Sequence, residues 1–277
     1  MIPAAFDYVR AGSAEEAVSL LGQYGDDAKL LAGGHSLLPL MKLRLASPAV
    51  IIDVGRVRDL SYVRDAGDHV AIGALTRHCD VQRDPLLQAQ VPLLPHVAGQ
   101  VGDPQVRHRG TIGGSIAHGD PASDLPAAVL ALGGSLVARG PSGERVIPAG
   151  SFFEGFLETA LAPDEVLTEV RVPKMDGAGW SFQKFNRRAQ DWAIVGVVAV
   201  GPQAGGGVAL VNMASTPVRA GAVERAVAGG ASPADAAASA AEGLDPPSDL
   251  NATPEFRRHL ATVLTRRALE EVAAGRP

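Results

Sequence analysis

The chain has 277 residues, enough for one large domain or two ordinary ones, and its 46% hydrophobic and 20% charged content is that of a soluble globular protein. A formal net charge of −5 offers no basic stripe for a nucleic acid, and the strongest apolar run, WAIVGVVAV (192–200), falls far short of the ~20 residues of a membrane span. The single cysteine, Cys79, excludes an internal disulfide, a cysteine-rich zinc site and a self-contained iron–sulfur cluster, which takes about four thiolates.

The first residues carry no basic segment followed by an apolar one, so no secretory signal is read and the expected location is cytoplasmic. AGSAEEAVSLLGQYGDD (11–27) places Ser13 and Glu16 at capping-box spacing, then Ala17, Leu20 and Leu21 on one face. It predicts a helix ending near Gly25. AKLLA (28–32) predicts a strand, LLPLMKLRL (37–45) a short helix and AVIIDVG (49–55) a buried strand. Together they make an α/β unit.

A second unit follows, with a strand at HVAIGALT (69–76) and helical stretches beginning at TRHCDVQRDP (76–85) and LLPHVAGQVG (93–102). Cys79, between His78 and Asp80, reads as an ordinary residue of its helix. Asp124 opens a helix with Pro126 in its first turn and Gly133 at its end. SLVARGPSGERVIP (135–148) predicts a hairpin and DEVLTEVRVP (164–173) a half-buried strand.

Around KMDGAG (174–179) the composition shifts to small and turn-forming residues, which marks a domain boundary. Beyond it, 180–188, 192–202 and 207–216 predict three antiparallel strands, followed by helices. In the last helix Phe256, Leu260, Val263, Leu264 and Ala268 form an apolar stripe expected to face the core.

Two loops stand out. AGGHS (32–36) and TIGGS (111–115) each pair adjacent glycines with a hydroxyl residue at a strand-to-helix junction. Glycines there admit positive φ and close approach of a ligand, and successive amides form an anion-binding concavity. One such loop can hold a phosphate, and two converging loops can clamp a diphosphate. The glycines can equally serve tight turns alone. No P-loop and no G-x-G-x-x-G after a strand is present.

The stretches AGGHSLLPLMKLRLASPAVIIDV (32–54), QVRHRGTIGGSIAHGDPASDLPA (105–127) and FNRRAQDWAIVGVVA (185–199) resemble the FAD-binding medium subunits of molybdenum hydroxylases, over nearly the whole chain. The wording of the first two is closest to the carbon monoxide dehydrogenase branch. The resemblance implies an α+β fold: a two-lobed, non-Rossmann FAD-binding domain of the PCMH or vanillyl-alcohol-oxidase-like type over 1–175, with lobes of about 1–55 and 56–175. A smaller α+β domain, a three-stranded antiparallel sheet plus helices, would fill 176–277.

It also implies a set of FAD contacts. Ala32, Gly33, Gly34, His35 and Ser36, flanked by Leu30, Leu31 and Leu37, would wrap the diphosphate together with Thr111, Ile112, Gly113, Gly114 and Ser115. Val101 and Leu167 would touch the rings, and Asp124 and Lys184 would contact the cofactor. For Asp124 the alternative is a helix N-cap, and for Lys184 an exposed strand lysine. Trp192 would lie beside the isoalloxazine or else in the core, and His35 would make a main-chain or phosphate contact, not act as a catalytic base. Gly119 stands where relatives often carry a bulkier small residue. Valine at Gly33 or Gly114 is expected to abolish FAD retention while the chain still folds.

The implied activity is electron transfer. Substrate is oxidised at a molybdenum cofactor in a large subunit, and electrons pass through [2Fe–2S] clusters of a small subunit to this FAD and on to an external acceptor. With one cysteine the clusters must sit on another polypeptide, which implies a heterotrimer, commonly doubled to a dimer of heterotrimers. Medium subunits acting on xanthine, nicotine, aldehydes or aromatic acyl-CoA are the alternatives. A self-sufficient flavin oxidase would need a positioned acid or base, and none is evident.

Overall fold

The computed structural model describes residues 2–275. The chain begins with β1 (Asp7–Arg10), α1 (Ala14–Tyr24), β2 (Ala28–Leu31), α2 (Leu37–Leu43) and β3 (Val50–Asp53). β3 lies between β1 and β2 in a parallel three-stranded sheet. Parallel neighbours need crossovers, and α1 and α2 supply the connecting chain. α1 starts where its capping residues dictate: Ser13 Oγ accepts from the Glu16 amide at 3.1 Å, and the Glu16 carboxylate accepts from the Gly12 amide at 2.7 Å. Its Ala14, Ala17, Val18 and Leu21 are buried against the sheet.

The second lobe comprises β4 (Val63–Asp65), β5 (His69–Gly73), α3 (His78–Arg83), α4 (Pro85–Gln90), α5 (Leu93–Gly99), α6 (Pro104–Arg109), α7 (Ile112–His118) and α8 (Asp124–Ala131). It continues through β6 (Ser135–Gly140), β7 (Gly143–Pro148), β8 (Phe153–Gly155), β9 (Glu158–Thr159) and β10 (Val166–Pro173). Five strands form an antiparallel sheet in the order β4-β5-β10-β6-β7. A register shift between Leu167 and Glu169 interrupts β10.

The remaining elements are β11 (Trp180–Phe185), β12 (Val195–Val200), β13 (Val208–Val211), β14 (Val218–Arg219), α9 (Gly221–Ala228), α10 (Pro233–Ala237) and α11 (Pro254–Ala273). The sheet here has four strands, β11-β12-β13-β14, where the sequence predicts three. The fourth has two residues, too few to carry an alternating pattern. In β12 all six residues are buried. Val198 and Val200 join the second lobe's core, which includes α8, whereas Val195, Val197 and Ala199 join the core under the C-terminal helices. The sheet is therefore packed on both faces, and α8 is buried along its whole length. Of the stripe on α11, Leu260, Leu264 and Ala268 are buried, but Phe256 is exposed and meets Phe185 edge-on at 6.2 Å. No helix among the described residues is long and apolar enough to cross a membrane.

Candidate functional site

β2 ends at Leu31 and delivers the first loop, 32–36, in which Gly34 has φ of +78°. That is a left-handed conformation that side chains rarely adopt. The second loop begins at Gly110, and Thr111 caps α7 by accepting from the Gly114 amide at 3.2 Å. The two loops are in contact. A Cβ on Gly33 would overlap the Arg109 carbonyl oxygen and lie 2.9 Å from Gly110 Cα, and one on Gly114 would lie 2.6 Å from Thr111 Oγ1.

These distances correct the expectation that valine at either glycine spares folding. The missing Cβ atoms are required by the protein's own backbone and by the Thr111 cap. Valine at Gly33 would drive the loops apart before any cofactor met them.

The loops differ in what they leave free. In the second, the Ile112 amide donates to Thr76 O, that of Gly113 to Ala74 O at 2.8 Å and that of Ser115 to Thr111 O. The first loop's amides, Gly33 to Ser36, have no hydrogen-bond partner among the described residues. Unpaired amides in a concave turn are donors awaiting an anion. The first loop thus keeps its amides free, and the second is clamped to the chain that follows β5.

Between them lies a cavity of about 600 Å³. It is lined by Leu30, Leu31, Ala32, Gly33, Gly34, His35, Ser36, Leu37, Val101, Thr111, Gly113, Gly114, Ser115, Asp124, Leu167, Lys184 and Trp192. Of the expected FAD contacts, Ile112 alone does not line it; its side chain is fully buried in the core with Ile116. His35 Nδ1 lies 3.1 Å from Gly33 O, a main-chain contact.

Asp124 is not a cap. Ser123 holds the N-cap position, and Asp124 is the first residue of α8, 5% exposed. Lys184 is not an exposed strand lysine either. Its Nζ is buried and donates to Asp124 Oδ2 at 2.6 Å and to Gln100 O at 3.1 Å. Burial, opposed by Lys184, pushes the Asp124 carboxyl up to about 6. Its Oδ1 has no partner among the described residues, an unsatisfied acceptor in a residue that lines the cavity.

Trp192 is 72% exposed and lines the cavity, which rules out a core position; the buried indole is Trp180. The sequence reading missed His78, Ser123 and Gln190 as lining residues. His78 is 4% exposed, its Nδ1 has no partner among the described residues, and burial, reinforced by His35, lowers its pKa to about 4. No local pattern announces it, whereas Ser123 adjoins Asp124 and Gln190 adjoins the Trp192 motif. A second cavity of about 880 Å³ shares Gln190 and Trp192 with the first and is lined further by Arg187, Arg188 and Asn212. No group of three or more His, Cys, Asp or Glu suited to a metal occurs among the described residues.

The donor set fits a dinucleotide with a diphosphate and a planar ring system: free amides and hydroxyls at one loop, apolar Val101 and Leu167, and an unsatisfied buried carboxylate oxygen. Comparison with known proteins agrees. The family described as FAD binding domain in molybdopterin dehydrogenase matches residues 4–175, and the CO dehydrogenase flavoprotein C-terminal domain matches 180–272. The chain is 43% identical over 279 residues to the carbon monoxide dehydrogenase medium chain of Hydrogenophaga pseudoflava, covering 97% of each. It is 36% identical to the caffeine dehydrogenase subunit beta of a Pseudomonas species, covering 99% of this chain and 96% of that one.

The structure of carbon monoxide dehydrogenase from H. pseudoflava superposes with a TM-score of 0.95 over 100% of both chains. That of quinoline 2-oxidoreductase from Pseudomonas putida 86 does so with 0.91 at 30% identity, over 99% of both. The chain belongs to the FAD-binding medium subunits of the molybdenum hydroxylase family.

Proposed function

We propose that this FAD subunit serves an aerobic carbon monoxide dehydrogenase, with a molybdenum-cofactor large subunit and a [2Fe–2S] small subunit as its partners, in a cytoplasmic dimer of heterotrimers. Full-length 43% identity to a carbon monoxide dehydrogenase medium chain supports the substrate, and the convergence of the two glycine loops on one cavity carries the reading of the site. We assign residues 1–175 to FAD binding and 176–277 to a C-terminal domain that closes the cavity through Lys184 and Trp192. Bound FAD would accept electrons from the clusters and pass them to an external acceptor.

The protein's part is binding and orientation. Amides of Gly33 to Ser36 and the hydroxyls of Ser36 and Ser115 would hold the diphosphate, and Val101 and Leu167 would supply apolar walls. Lys184 holds Asp124 Oδ2, which leaves Oδ1 as an acceptor for a cofactor N–H or O–H. A second reading is a medium subunit for another substrate. The glyceraldehyde dehydrogenase medium chain of Sulfolobus acidocaldarius is 38% identical, as is the carbon monoxide dehydrogenase medium chain of Afipia carboxidovorans.

The test removes donors without disturbing packing. Neither Ser36 nor Ser115 makes a side-chain hydrogen bond among the described residues. The double variant Ser36→Ala, Ser115→Ala should therefore keep its melting temperature while FAD affinity, measured by titration, falls roughly ten- to a hundredfold. Unchanged affinity would overturn the loop assignment. Carbon monoxide oxidation by the assembled enzyme decides between the two substrate readings.

A further inference from the structure

Trp192 sits on a segment that leaves the C-terminal sheet after Phe185 and rejoins it at Ile194, whose amide donates to Phe185 O at 2.8 Å. Inside that excursion the polar contacts are exposed: Asn186 Nδ2 donates to Arg188 O, and Arg188 pairs with Asp191. Exposed pairs of this kind add little rigidity. The firm attachments come from outside the segment. The fully buried Arg257 donates to Ile194 O and pairs with Asp249 at 2.7 Å, and Asn212 Nδ2 donates to Ala193 O at 2.9 Å.

Asn212 does more than hold one side. Its own amide donates to Pro121 O at 2.8 Å, on the loop that leads through Ser123 to Asp124. It follows directly on β13 and has φ of +62°, a left-handed conformation in which asparagine is favoured among residues with a side chain. One residue thereby joins the chain beside Trp192 to the chain beside Asp124, and both ends line the same cavity.

We propose that Asn212 is a positioning residue for the flavin site, locking the Trp192 rim to the Pro121–Asp124 wall so that the two walls move together. This rests on the cofactor reading above. Loss of the Asn212 amide group would leave each wall folded but free to shift against the other, and the cofactor would meet a looser cavity.

The experiment uses the full chain in a Trp180→Phe background, where Trp192 is the only indole because the sequence has two tryptophans. Asn212→Gly keeps the left-handed turn and the Pro121 bond but removes the side chain. Asn212→Asp keeps the size but sets a carboxylate oxygen against Ala193 O. Both should increase the fast local motion of Trp192 in time-resolved fluorescence anisotropy and raise the FAD dissociation constant roughly three- to tenfold. Asn212→Gly should do so with a melting temperature within a few degrees of the parent.

Parental Trp192 anisotropy in Asn212→Gly overturns the proposal, as does loosened Trp192 with parental FAD affinity. A fall in melting temperature with both other readouts unmoved assigns Asn212 to structure alone, which also overturns it. A parent chain that binds no FAD sinks the cofactor reading instead, and the anisotropy arm still decides whether Asn212 locks the segment.

Discussion

Gly33 and the Asp124–Lys184 pair carry opposite kinds of constraint. Gly33 is demanded by sterics, because any side chain would overlap the Arg109 carbonyl. The pair is demanded by charge: each group is about 95% buried, at 4% and 5% side-chain exposure, and neither has another ion-pair partner among the described residues. Removing one partner strands the other. Lys184→Met should destabilise the cofactor-free chain by about 3–5 kcal/mol at pH 8.

The sign of the pH dependence follows from Asp124, whose carboxyl stands at about 6 in the fold against an ordinary 3.8. A raised value means that the folded state holds the proton more tightly. Its stabilising effect is complete below about pH 3.8 and is lost as pH rises through about 6. Without Lys184 the carboxyl rises further, so the deficit of Lys184→Met relative to the parent should shrink between pH 8 and pH 5. Urea denaturation at both values checks this, and an equal deficit at each would show that the carboxylate does not feel the lysine.

Elements with a local signal are legible in the sequence, and those without one are not. α1 is announced by its Ser13 and Glu16 caps, and α8 by an unbroken apolar run that the tertiary packing buries on every side. β1 is an exposed edge strand of four residues with no alternation, and β14 has only two residues, so neither has a pattern to read. α6 carries an N-cap and proline signal, Asp103–Pro104, but buries none of its residues, so it has no apolar face to read. Gly119, a departure from the family wording, is the left-handed C-cap of α7 with φ of +65°.

The opening of α7 yields a prediction of its own. Thr111 Oγ1 satisfies the Gly114 amide beside the cavity. Thr111→Val keeps the shape but loses the acceptor, and should cost about 1–2 kcal/mol of stability in chemical denaturation, whereas Thr111→Ser should restore most of it. Equal stability of the valine variant would show that the cap contributes nothing.

For the whole molecule, the shared packing of β12 and α8 joins the C-terminal sheet to the second lobe, which is how Lys184 and Trp192 come to line a cavity built on the first 175 residues. The same molecule holds one cysteine and, among its described residues, no metal-ligand cluster. On the proposed subunit reading, the electrons are supplied by other polypeptides. The purified full chain should bind one FAD per chain, contain no stoichiometric iron or molybdenum by elemental analysis, and show no carbon monoxide oxidation with an artificial acceptor. Co-expression with a cysteine-rich small subunit and a molybdopterin-type large subunit should yield a complex with that activity. Turnover by the chain alone would refute the subunit role.

What the amino-acid order determined by itself is local: caps, apolar runs, the glycine pairs and the family wording that surrounds them. Each depends on neighbours a few residues away, so each can be read from a string. The tertiary structure alone decided which amides stay unpaired, that Asp124 spends one oxygen on Lys184 and leaves the other open, that Trp192 is exposed, and that the glycines serve the loops' mutual packing. Those facts depend on groups far apart in the chain, such as 124 and 184, or 33 and 109. Their encounter is set by how sheets and helices pack, and burial and pairing energies exist only once that packing has formed.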